Sequence, residues 1–171
     1  MTINHLRLIL LAMWLGAALF FSAVVAPVAF SVLVHLHTLS GRESAGAIVS
    51  LCLALINFSG FTISLLALGA GLIRFRKTVW SVIEAVSLLT IAVATGVGHW
   101  IIRARMQALK SGFGLPIDQI PQGDPRRISF DTLHGYSVKA LALAMIAALV
   151  ALVIITYRSR TKAAVSPDQK D

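Results

Sequence analysis

Leu8 to Val34 reads LILLAMWLGAALFFSAVVAPVAFSVLV, twenty-seven residues without one charged side chain. Wound as an α-helix at 1.5 Å per residue, it is about 40 Å long, enough to cross the roughly 30 Å hydrocarbon core of a bilayer with some tilt. Three further apolar runs follow, and together they predict an all-α fold, an integral membrane four-helix bundle. The spans fall at about 8–34, 45–73, 79–102 and 137–157 within a single domain of residues 1–157, and a basic polar tail covers 158–171.

Composition points the same way. With 57% hydrophobic and 13% charged residues and a mean hydropathy of +0.84, the 171-residue chain is too apolar for a soluble domain of its size. The net charge of +8 raises the question of nucleic acid. Its Lys and Arg residues, however, fall between the apolar runs, where lipid headgroups are the expected partners and nucleic acid is not. Cys52 is the single cysteine, so no intramolecular disulfide forms. Small residues at Val24-Val25-Ala26 suggest a signal-peptidase site, but Pro27 follows directly and the apolar run is about twice the usual length, so the first helix is expected to stay uncleaved.

Pro27 should bend helix one toward its far end. Trp80 and Trp100, twenty residues or about 30 Å apart, suit the two interfacial belts, as do Tyr136 and Tyr157 around the fourth span. Arg103 to Lys110 should continue helix three beyond the membrane, the Gly/Pro-rich stretch from Gly112 to Pro125 should be loop, and Asp131 offers an N-cap for helix four. Arg7 before helix one and the dense Arg74-Phe75-Arg76-Lys77 turn favour both termini on the cytoplasmic side of a bacterial inner membrane. No internal repeat supports an inverted-repeat transporter.

Apolar side chains gain nothing by leaving lipid for each other, so small residues and buried polar contacts must hold the helices. Ala140, Ala144 and Ala148 recur every four residues, and helix one offers Ala12 and Gly16, then Ala18, Ser22 and Ala26. His35, His37, His99 and His134 fall at one membrane face, with Cys52 two turns below, and could ligate zinc or copper. No pair has the i, i+4 spacing, and interfacial histidines are common, so no metal or other cofactor is expected; a b-type haem needs opposed histidines deeper in the bilayer.

Glu84 is the only acid within a span, a proton or substrate handle by default, although its closeness to Trp80 favours an ion pair with Lys77, Arg76 or Arg74. Asn57 should bond across a helix interface. Asp131, His134 and Ser137 share a helix face, but neighbours on one helix rarely align as a hydrolytic triad, and capping plus a polar interhelical contact explains them better. No Walker loop or dinucleotide fingerprint occurs, and the chain is not expected to be an enzyme.

Trp14-Leu15-Gly16 through Phe20, then Ala26-Pro27-Val28-Ala29-Phe30 and Ala45-Gly46, resemble the opening of the domain of unknown function 4149 (DUF4149) family, a bacterial set similar to the eukaryotic transmembrane protein 205. Phe130-Asp-Thr-Leu133-His134-Gly135-Tyr-Ser137 resembles that family's entry into its last helix. Relatives often carry Asn seven residues after the His, where this chain has Leu141. The resemblance implies four spans and no established activity, and it raises His134, Ser137, Gly16 and Pro27 above other positions. Three functions follow as expectations: a non-enzymatic accessory or structural membrane protein, partnered by a second copy or another membrane protein; a small exporter or resistance-type transporter; or a metal-binding or redox protein using the histidine face.

Overall fold

The computed structural model describes residues 3–35, 41–73, 78–114 and 119–164, with side chains to residue 159. The described chain is almost wholly helical and contains no strand. Four helices are long and apolar enough to span a membrane: α1 (Ile3–His35), α2 (Gly41–Leu72), α3 (Val79–Ser111) and α4 (Pro125–Ala164). Each packs against the next, and α4 closes the ring against α1, so the bundle runs up, down, up, down with its diagonals in little contact. Its centre holds Leu11, Trp14, Ala18, Leu88, Ile91, Ala144, Ala148 and Ala151, while Met13, Leu66, Ile146 and Val153 face outward. That outward apolar surface is what lipid requires, and paired charges lie inside.

Local chemistry explains the irregular turns. Pro27 lacks an amide hydrogen, and its ring would press on the carbonyl four residues back. The preceding residues, Phe21–Val25, widen into a π turn in which the Ala26 amide donates to the Phe21 carbonyl, while Pro27 itself faces outward. A second π turn, Val97–Ile102, follows Gly96 in α3, and regular helix resumes over Arg103–Ser111 as the basic run predicts.

The start of α4 corrects the sequence reading. Asp131 is exposed in mid-helix; Asp124 is the cap, accepting from the Arg126 amide at 2.8 Å, with Pro125 at the first helical position. Helix four therefore begins twelve residues before the expected span and continues to Ala164, so Arg158 belongs to the bundle rather than to a tail. The end of α3 and the start of α4 pack against each other. Phe113 and Ile120 are buried there, Phe113 stands edge-on to Phe130, and Arg127 donates to the Ile120 carbonyl at 2.6 Å.

Ala144 and Ala148 are fully buried, and Ala140 is half-buried. Gly16, by contrast, is exposed, and a Cβ there would meet nothing within 4 Å. The face of α1 that packs is Leu11, Trp14, Ala18 and Phe21, one step around the helix from Ala12 and Gly16. Close approach of α1 and α2 occurs instead at Gly60, where a Cβ would lie 2.6 Å from the Trp14 ring. The Trp14 indole N–H donates to the Ile56 carbonyl at 2.9 Å across that contact.

Candidate functional site

Glu84 stands one helical turn, about 6 Å, inside Trp80, whose ring lies 5.4 Å from that of Tyr157. All four helices meet beside this aromatic pair. Glu84 is only 5% exposed. Its Oε1 accepts from Arg7 Nη2 of α1, and its Oε2 accepts from Arg158 Nη1 of α4. Helix α2 contributes Gly71, where a Cβ would lie 3.0 Å from Arg7 Nη2 and 3.4 Å from Glu84 Oε1. A side chain at this position would press on the ends of the Arg7 and Glu84 side chains.

Two guanidiniums on one carboxylate satisfy the acid fully and leave one net positive charge. A carboxylate alone at this depth would be expensive, and the paired arrangement removes most of that penalty. Arg7 is 7% exposed, and its buried Nε has no hydrogen-bond partner. Arg158 is the more open of the two, with 26% of its side chain accessible. Beside the cluster lies a shallow crevice with room for about one water, bordered by Leu68, Gly71, Ser81, Glu84 and Arg158. The Ser81 hydroxyl is held 2.9 Å from that of Thr78, the residue that caps α3.

Glu84 pairs with Arg7 and Arg158, which lie 77 and 74 residues away in sequence; Arg74, Arg76 and Lys77 lie outside the described residues. Arg7, Gly71 and Arg158 were missed as site residues. A lone acid in one span and an arginine at the very start of another were the available signal.

Nearer the opposite end, Asn57 is buried against Gly98, whose Cβ, if present, would lie 2.9 Å from Asn57 Nδ2. Its neighbour His99, within the π turn, donates from Nδ1 to the Ala54 carbonyl at 3.1 Å. The wide turn thus presents a ring N–H to α2 while Gly98 lets the two backbones close. The histidines otherwise stay apart. His35 is exposed and bonded to Ser31 of its own helix at 2.5 Å, His134 is exposed, and His37 lies outside the described residues. Among the described residues no three of His, Cys, Asp and Glu gather in a way that could hold a metal. Ser137 is buried on α4 while Asp131 and His134 on the same helix are exposed, so these three do not form one site.

Four spanning helices closed into a ring and joined at one end by a buried ion cluster define a small polytopic membrane protein of the helical-bundle class. Residues 9–112, more than half of the chain, match the model of the DUF4149 family, a domain of unknown function. The chain belongs to that family. No curated protein and no solved structure matches it. The matched residues include Trp14, Asn57, Gly60, Gly71, Glu84, Gly98 and His99, and end before α4, so Arg158, His134 and Ser137 lie beyond them.

Proposed function

We propose that this chain is a non-enzymatic accessory protein of the bacterial inner membrane, with both termini on the cytoplasmic side, whose bundle serves as a rigid platform for a second copy or another membrane protein. The likeness of its opening run to the eukaryotic transmembrane protein 205 is part of the same reading. The observation that carries it is the use of Glu84: the acid within the spans is occupied on both oxygens by arginines from the first and last helices. A carboxylate so engaged ties α1, α3 and α4 together.

The test compares folded amount with function in cells lacking the chromosomal copy. Under this reading, Glu84→Gln and Asn57→Ala reduce rescue of the deletion's growth and envelope phenotypes only as far as they reduce folded protein in the membrane. A Glu84→Gln protein present at the wild-type level but unable to rescue would reassign the site to transport.

A further inference from the structure

The ion cluster is not neutral: two guanidiniums, Arg7 and Arg158, share the one carboxylate of Glu84. Each guanidinium carries five N–H donors. Arg158 uses Nη1 and Arg7 uses Nη2 on Glu84, while the Nε of Arg7, a residue more than nine-tenths buried, has no partner. A surplus cation in a low-dielectric surround calls for an anion. The adjoining crevice offers the means: Arg158 and the Ser81 hydroxyl border it on the polar side, and Leu68 and Leu72 on the apolar side. Arg158 follows Tyr157, whose ring meets Trp80, so the crevice opens at headgroup level.

We propose that this crevice between α2, α3 and α4 is a phosphate-oxyanion site, occupied by the phosphodiester of an anionic phospholipid in the leaflet facing this end of the bundle. The phosphate sits at the mouth of the crevice, where its oxygens accept from N–H groups of the partly open Arg158, and the first carbons of an acyl chain lie along Leu68 and the exposed Leu72. A planar guanidinium suits a phosphate better than an ammonium does, since it can present two parallel donors.

The experiment is thermal unfolding of the full chain in a neutral detergent, titrated with phosphatidylglycerol, with phosphatidylcholine, or with inorganic phosphate. Ligand at a hundred times its dissociation constant should raise Tm by roughly 5 °C or more for a chain of this size. Phosphatidylglycerol is expected to give that rise and phosphatidylcholine at most a small fraction of it. The rise should disappear in Arg158→Gln and be mostly lost in Arg158→Lys, while Arg126→Gln, at the opposite end, keeps it. Leu72→Trp is a second probe, because residue 72 is exposed, lies outside the ion cluster and can plug the crevice without disturbing folding. It too should abolish the rise. Equal shifts with the two lipids, or a phosphatidylglycerol shift unchanged in both Arg158→Gln and Leu72→Trp, would overturn the proposal. A full shift from inorganic phosphate alone, lost in the same variants, would uphold the oxyanion site and overturn the lipid as its source.

Discussion

Gly60→Ala should damage the bundle although alanine is the better helix former. The added methyl would sit 2.6 Å from Trp14 Cε2 and Nε1 and 2.7 Å from Cζ2. Carbon contacts are comfortable at about 3.5 to 4.0 Å, so α1 and α2 must part by about 1 Å or the indole must leave its slot. Trp14 is 3% exposed and its ring is rigid, so it has nowhere to turn. A 1 Å displacement also stretches the 2.9 Å bond from the indole to the Ile56 carbonyl toward or beyond its limit. Overpacking of this kind costs about 1–3 kcal/mol and an interhelical hydrogen bond in a membrane contributes about 0.6–1.7 kcal/mol. Replacing glycine in a helix returns about 1 kcal/mol, leaving a net loss of about 0.6–3.7 kcal/mol. The internal control is Gly16→Ala, where a Cβ meets nothing within 4 Å and the expected effect is neutral to slightly stabilising. Reversible unfolding in lipid bicelles, read by steric trapping, compares the two directly. Equal stabilities for Gly60→Ala and Gly16→Ala would refute the reasoning, as would a Gly60→Ala loss undiminished when Trp14 is replaced by Leu.

Other expectations follow from the same geometry. Ala144→Leu and Ala148→Leu, at positions with no exposure, should force α4 off its neighbours and lower the yield of folded protein sharply, whereas Ala140→Leu, half-buried, should be tolerated, as detergent-extracted gel filtration would show. His99→Ala removes the ring N–H bonded to Ala54 and should destabilise by about 0.6–2 kcal/mol, measurable in the same bicelle assay. The Arg126 guanidinium holds the Asp124 carboxyl below its usual range. A lowered acid pKa contributes stability above the unfolded value near 3.8 and loses it as pH falls through the folded value. Hydrogen exchange at the first turn of α4, taken relative to each amide's intrinsic rate at that pH, should therefore be flat from neutral pH down to about 5 and accelerate only below about 4. An acceleration already complete at pH 5 would show that Asp124 does not cap the helix.

The four spans were legible because lipid imposes long uncharged runs, and Leu8 to Val34 meets that demand without ambiguity. The helical continuation through the basic run after Ile102 was legible as well. Which face of α1 turns inward was not. In a membrane both faces are apolar, so Ala12 and Gly16 look as good a seam as Leu11, Trp14 and Ala18, and hydrophobic periodicity cannot choose between them. The start of α4 was readable yet misread: Asp124-Pro125 is a cap followed by proline at the first helical position, a stronger signal than Asp131. The partners of Glu84 were beyond sequence reasoning, since Arg7 and Arg158 lie near opposite ends of the chain and only the closed ring of helices brings them together.

A double-mutant cycle between Arg158 and Glu84 in bicelles tests the account most directly. Glu84→Ala alone strands two guanidiniums, one of them buried, and should cost about 3–5 kcal/mol; Arg158→Ala should cost less, since its side chain is partly open. The predicted result is a coupling energy of at least about 1 kcal/mol between the two sites. Additive losses, with no coupling, would mean that the first and last helices are not joined through this carboxylate.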